Sequence, residues 1–208
     1  YKLPIGCDVP ETIILADGDF PSHPLALEWL RQCLYVVCCD GAANTYIRSG
    51  RMPEAIVGDG DSLLPDIKER YASLIHSEAE QETNDLSKAF CFCLSQERKR
   101  ITIMGATGKR EDHTIGNVSL LADYMEQAEV SMMTDYGIFV PIREDSMFES
   151  YIGQQISVFN MNSTALSAEG LAYPLSVFTN WWQGTLNEAL ARHFIIRTEG
   201  KVLVFRVF

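Results

Sequence analysis

Residues 55–63 read AIVGDGDSL, a short apolar run that passes into a glycine-softened turn bearing Asp59 and Asp61 one residue apart. Two carboxylates so close repel one another, so the spacing asks for something positive between them. The arrangement recurs along the chain. LYVVCC (34–39) runs into Asp40, and ITIM (101–104) runs into GATGKREDH, which carries Arg110 and Asp112. Three apolar strands that each discharge polar residues at their carboxyl ends describe an open parallel sheet with a ligand crevice along that edge.

The intervening stretches supply the helices. PLALEWLRQC (24–33), LPDIKERYASL (64–74), NDLSKAFCFCLSQ (84–96) and TIGNVSLLADYMEQ (114–127) have apolar residues at helical spacing. DGAANTYIRSG (40–50) suits a helix capped by Asp40 and ended by Gly50. With TIILA (12–16) as a first strand, strands and helices alternate, which implies βαβ units with helices on both faces. After about residue 129 the texture changes to strand-like segments punctuated by turns and with little helical pattern, as in an antiparallel sandwich. The expected fold is therefore α/β, an N-terminal parallel-sheet nucleotide-binding domain over 1–129 followed by a C-terminal antiparallel β-sandwich over 130–208.

Composition narrows the function. The 208 residues are 47% hydrophobic and 22% charged, which suits a globular chain with real cores. No apolar run reaches the length of a membrane span, and the opening YKLPIGCDVPE lacks the form of a signal peptide. Acidic residues outnumber basic ones 28 to 17, for a formal charge of -11, so nucleic acid and anionic membrane are poor partners. Six cysteines without framework spacing or a CxxC pair point to a reduced cytoplasm, with Cys38, Cys39 and Cys91 expected as small buried hydrophobes.

Several carboxylates meeting in one crevice need a divalent cation, and hard oxygen donors suit Mg²⁺. Magnesium takes one or two protein carboxylates and keeps room for phosphate oxygens, so a nucleoside polyphosphate is the implied ligand. Glu80, Gln81, Glu82 and Asp85 open a helix that could reach the same edge. Asp17-Gly18-Asp19 reads as a structural turn. GATGKR lacks the glycine and the Ser/Thr of a Walker loop, and an EF-hand starting at Asp59 would meet Leu63 and Arg70 at liganding positions. DGDSL is similar to the nucleophile motif of haloacid-dehalogenase-type phosphatases, although it follows the third strand here rather than the first.

The ordered series CDGAAN (39–44), P..IVGDGDS (53–62), EQETND with LSKA (80–89), GATGKREDHTIGN (105–117), GLAYPL (170–175) and GTLNEA (184–189) resembles thiamine pyrophosphokinase over nearly the whole chain. That resemblance implies a homodimer, an α/β domain followed by a sandwich, and transfer of a pyrophosphoryl group from ATP to the hydroxyl of thiamine with release of AMP. It implies that Asp59, Asp61 and Asp85 hold Mg²⁺ and the phosphates, with Asp40 beside them as a possible proton acceptor. Gln81, Lys88 and Arg110 would contact the polyphosphate, Asp112 would orient Arg110 or the metal's water, and Asn44 would join the binding set. Thiamine would lie near Trp181, Thr185 and Asn187, partly from a second subunit.

The chain departs from the usual family pattern at Ala42, Gly60, Glu82, Asn84 and Lys109, and Leu186 stands where a serine is usual. His113 reads as a helix-start or second hydrogen-bonding partner rather than a base. Of Trp181 and Trp182, adjacent on a strand, at most one should face the pocket. Three other readings stay open: a pyrophosphokinase for another heterocyclic alcohol of hydroxymethylpterin type, a DxD phosphatase, and a nucleotide sensor without turnover.

Overall fold

The computed structural model describes residues 1–4, 8–77 and 83–208. In its first half β1 (Thr12–Leu15), α1 (Pro24–Gln32), β2 (Val36–Cys39), α2 (Ala42–Arg48), β3 (Ala55–Val57), α3 (Pro65–Arg70), β4 (Ile75–His76), α4 (Asp85–Ser95), β5 (Arg100–Met104) and α5 (Glu111–Tyr124) follow one another, and β6 (Glu129–Met133) closes the series. These strands lie in the order β6-β5-β1-β2-β3-β4, all parallel. Every residue of β1, β2 and β3 is buried, as strands covered on both faces must be.

Successive side chains alternate between two cores. Ile13 and Leu15 pack with Trp29 and Leu30 of α1, Tyr46 of α2 and Ile67 of α3, whereas Ile14 packs on the other face with Phe90 of α4 and Leu121 of α5. Each such large apolar side chain stabilises the fold by roughly 1.5–3 kcal/mol through burial. Phe90 and Tyr124 stack with ring centroids 3.9 Å apart, and burial pushes the Tyr124 phenol up to about 12.

The second half adds β7 (Gly137–Ile142), β8 (Ser146–Glu149), β9 (Gln155–Asn160), β10 (Leu166–Glu169), β11 (Asn187–Glu188), β12 (His193–Thr198) and β13 (Val202–Val207). It is antiparallel, as expected, but one layer of the sandwich is not separate from the first half. β7 folds back on β6 and continues the same sheet, giving ten strands in the order β11-β9-β13-β7-β6-β5-β1-β2-β3-β4. The three-stranded sheet β10-β12-β8 forms the other layer, with Phe148, Phe194 and Ile196 facing Ile156, Val158 and Val204. The change of texture near residue 129 coincides with the start of β6, and the pairing changes direction only after Met133.

Some local expectations are corrected. Asp40 does not cap α2: Gly41 occupies that position and no side chain caps the helix. The expected helix over 64–74 divides at Tyr71, whose φ of -114° breaks the α geometry before a 3₁₀ turn over Ala72–Leu74. α5 starts earlier than its apolar pattern suggests, because Arg110 is its N-cap. Cys38 and Cys39 are buried but Cys91 is exposed, Cys93 taking the inward position instead. Trp181 and Trp182 sit on a 3₁₀ turn (Trp181–Gly184) rather than on a strand. No helix among the described residues is long and apolar enough to cross a membrane.

Candidate active site

The carboxyl ends of β1, β2, β3 and β5 lie side by side, so the residues that follow them are gathered at one edge. A crevice of about 540 Å³ opens there, lined by Asp17, Asp85, Lys109, Arg110, Asp112 and Asn117 among others. A larger cavity of about 720 Å³ lies at the other end of the sheet, by Arg100 and Glu129 where β5 and β6 begin. The strand-end rule for parallel sheets favours the smaller crevice as the site.

Asp40 leaves β2 with φ 33°, and its amide donates to Val57 O at 2.9 Å. The neighbouring strand exit must be glycine, since a Cβ on Gly58 would come 2.8 Å from the Asp40 Cβ. The carboxylate is 4% exposed: Oδ2 accepts from the Ser62 amide at 3.1 Å, and Oδ1 is buried without a hydrogen-bond partner. Burial raises this carboxyl above its ordinary value, the Ser62 amide partly opposes that, and the charges of Asp85 and Asp59 add to it.

In the GDGDS turn Asp59 Oδ1 accepts from the Asp61 amide at 3.0 Å, and Lys68 Nζ donates to Gly60 O at 2.9 Å. The Lys68 ammonium is thus a positive group at this turn, bound to backbone, and Asp61 is exposed. Gly60 has φ 76°, a conformation that suits glycine. Asn44 spends its amide on the same loop, donating to Ser62 O at 2.8 Å and accepting from the Leu64 amide at 3.0 Å.

Asp85 is the first residue of α4, which Asn84 caps by accepting from the Ser87 amide at 2.8 Å. Buried Lys88 donates to Asp85 Oδ1 at 3.2 Å, so its ammonium meets Asp85 beneath the surface and does not line the crevice. Arg110 and Asp112 form a two-pronged pair, Nη2 to Oδ2 at 2.6 Å and Nε to Oδ1 at 3.1 Å. The Asp112 carboxyl is held below its usual range chiefly by the Arg110 hydrogen bonds. Asn117 ties α5 to the loop after β5 by donating to Ala106 O at 2.8 Å.

Asp59, Asp61 and Asp85 therefore do not stand as a ready ligand set, and among the described residues no three acidic, His or Cys side chains are placed to hold a metal. Two of the three are engaged with neighbours and the third faces solvent. Gln81, with Glu80 and Glu82, lies outside the described residues. Asp17 is the residue that sequence reasoning missed. It follows β1 as Asp40 follows β2, lines the crevice, and accepts from Lys109 Nζ at 3.0 Å, so position after a strand was the signal that a turn assignment overrode.

The residues expected to meet thiamine lie elsewhere. Trp181 packs edge-on against Phe159 with centroids 6.0 Å apart, Thr185 Oγ1 donates to Trp182 O at 2.8 Å, and Asn187 is 5% exposed with its amide bonded to both backbone groups of Tyr173. None of the three lines the crevice of the same chain. Trp181, Trp182 and Leu186 are all exposed here, at 42%, 73% and 77%, Leu186 with φ 62°.

Residues 26–133 match the family model described as thiamin pyrophosphokinase, catalytic domain, and residues 137–205 match that of thiamin pyrophosphokinase, substrate-binding domain. The chain belongs to the thiamin pyrophosphokinase family. Thiamine pyrophosphokinase 1 of Oryza sativa subsp. japonica is 30% identical over 129 residues, covering 50% of this chain and 49% of that one. Thiamine pyrophosphokinase 2 of Arabidopsis thaliana is 31% identical over 155 residues, covering 62% and 57%. The chain spans about half the length of the curated relatives it matches. The thiamine pyrophosphokinase structure from Bacillus subtilis superposes with TM-score 0.78 at 20% identity over 94% of this chain and 98% of that one. The thiamin pyrophosphokinase structure from Candida albicans gives 0.77 at 19% identity over 94% and 90%. Within a thiamin pyrophosphokinase fold the strand-end crevice belongs to the half matched by the catalytic model, and Trp181 to the half matched by the substrate-binding model.

Proposed function

We propose that this chain transfers the pyrophosphoryl group of ATP to the hydroxyl of thiamine, giving thiamine diphosphate and AMP. The observation that carries the reading is the buried Asp40 carboxylate with one unpartnered oxygen, set among Asp85 and Asp59 at the strand-end edge of a thiamin pyrophosphokinase fold. In the reaction the thiamine hydroxyl oxygen bonds to the β-phosphorus, the bond from that phosphorus to the oxygen it shares with the α-phosphorus breaks, and AMP leaves with that oxygen. The reading assigns the hydroxyl proton to Asp40, whose burial and acidic neighbours make it a stronger base than an ordinary carboxylate.

The donor set fits a magnesium ion that arrives on the nucleotide, because such an ion needs only one or two protein carboxylates and Asp59, Asp61 and Asp85 offer hard oxygens without a three-carboxylate cage. When bound, the ion would neutralise charge on the transferred phosphates. Arg110, aimed by Asp112, contacts the polyphosphate, while Lys88 sets the position of Asp85 from below. Positioning and charge neutralisation are most of what this class of transfer requires.

Thiamine binds against the 3₁₀ turn over Trp181–Gly184, where an indole face can attract the thiazolium cation by about 0.5–2 kcal/mol. Because Trp181, Thr185 and Asn187 do not line the crevice of their own chain, we assign that wall to a second copy, so that the enzyme works as a homodimer. The reading places it in the cytoplasm, which suits Cys33, Cys38, Cys39 and Cys93 buried as thiols. Incubation with Mg²⁺, ATP and thiamine should release AMP only when thiamine is present. Steady ADP formation would rule out the pyrophosphoryl step.

A further inference from the structure

We propose that Lys109 is an additional phosphate-binding group of this crevice, held by Asp17 until a polyphosphate takes its ammonium over; the proposal rests on the reading of the crevice as a nucleotide site. Gly108 and Lys109 have φ 79° and 54°, two consecutive left-handed residues on the path from β5 into α5. Glycine suits that region and lysine rarely enters it, so the position is an unusual one for a long cationic side chain. Only glycine fits the position before Lys109, since a Cβ on Gly108 would come 2.2 Å from Asp19 Oδ2. The backbone therefore sends Lys109 across the mouth of the crevice, where Nζ donates to Asp17 O at 2.8 Å and to Asp17 Oδ1 at 3.0 Å.

Both side chains of this pair remain about half exposed, 53% for Lys109 and 45% for Asp17. An exposed ion pair of this kind contributes little to stability, so separating it costs little. An ammonium has three donors and two are used on Asp17, which leaves one directed to an incoming oxygen. Of the other cations near the crevice, Lys88 is buried on Asp85, and Arg110, forked on Asp112, keeps further donors for the same polyphosphate, so Lys109 acts beside it. A lysine on a flexible stem acts as a mobile point charge suited to phosphate.

Asp17 also has a reason to hold the ammonium. A Cβ on Gly41 would come 2.7 Å from Asp17 Oδ2, so the second oxygen of Asp17 points toward the residue after Asp40. Asp17 thus adds its charge to the acidic edge, and Lys109 neutralises part of it. A polyphosphate and Asp17 then compete for one ammonium. Removing Lys109 weakens nucleotide binding, and removing the charge of Asp17 strengthens it more while Lys109 is present, because the freed ammonium adds to the relief of repulsion.

The test is titration calorimetry of a non-hydrolysable ATP analogue with Mg²⁺, on the wild-type chain and on Lys109→Met, Lys109→Gly, Asp17→Asn and the Asp17→Asn/Lys109→Met double variant. Thermal melting checks folding, and Lys109→Gly removes the ammonium while easing the backbone. Both Lys109 variants should bind about 10-fold more weakly, the size of one charge-assisted contact. Asp17→Asn should bind more tightly than wild type, with a smaller gain when Lys109 is also replaced. Wild-type affinity in the folded Lys109 variants, or an equal change from Asp17→Asn with and without Lys109, overturns the proposal and leaves the nucleotide site standing. Absence of binding by the wild-type chain overturns both.

Discussion

Asp40 shows how a reactive carboxylate is made from backbone constraint. Its left-handed turn at φ 33° is possible because Gly58 opposite has no side chain, and the turn carries the carboxylate inward against the Ser62 amide. The cost is electrostatic. A carboxyl whose folded value is raised binds protons more readily folded than unfolded, so it burdens stability at neutral pH, and the burden fades as pH falls through the raised value toward the ordinary one of 3.8. Asp40→Asn keeps the shape, the acceptor for Ser62 and a residue tolerant of left-handed φ. It should raise the melting temperature by about 2–4 °C at pH 7, the equivalent of about 1 kcal/mol for a chain of this size. That gain should shrink on acidification while turnover is lost at every pH, and a lower melting temperature at pH 7 would show that burial of this charge is not a burden. Asp40 could be picked out from its place after a strand, but its partner could not: the Ser62 amide comes from a different loop, and nothing local in DGAAN signals it.

Helix α4 presents Asp85 to the crevice, and its start depends on one side chain. Asn84→Ala removes the cap on Ser87 and should cost about 1 kcal/mol in denaturant unfolding, with a rise in KM for ATP as the first turn loosens around Asp85. Unchanged KM with the stability loss would separate the cap from the site. The 3₁₀ turn over Trp181–Gly184 is held more tightly, because a Cβ on Gly184 would fall 1.8 Å from Val158 O. Gly184→Ala should therefore displace the turn from β9 at a cost of about 1–3 kcal/mol and raise KM for thiamine more than for ATP. α4 was legible almost to the residue from its period and its Asn, whereas β4, two residues long, offers no periodicity to read. The 3₁₀ turn was read as strand because its paired tryptophans favour sheets, although the Asn180–Gln183 capping box, at a spacing of three, was a local signal that could have found it.

The alternation of strands and helices made the parallel half readable, and the turn-rich second half was readable as antiparallel. The shared sheet was not: the short turn over 134–136 makes β6 and β7 antiparallel, but that β6 also pairs with β5 depends on which edge of the parallel sheet is open, not on the residues of either strand. Continuity across that join predicts one cooperative unfolding transition reported alike by tryptophan fluorescence and by far-UV dichroism, and two resolved transitions would show halves that are stable apart. Separation of the crevice from Trp181 predicts complementation. Arg110→Ala and Trp181→Ala should each be nearly inactive, yet unfolded and refolded together they should recover about a quarter of wild-type activity, as expected for random pairing in a twofold dimer with shared sites. No recovery would place the whole site within one chain.

A sheet of ten strands would ordinarily present two long open rims on which further chains could grow, the route to fibres. Among the described residues the outermost members are β4 and β11, each only two residues long, Ile75–His76 at one side and Asn187–Glu188 at the other. So short a ladder gives an intruding segment too few backbone partners to anchor it, and Glu188 adds a charge at one rim. The breadth that joins nucleotide crevice to sandwich is thereby kept from becoming a template for aggregation.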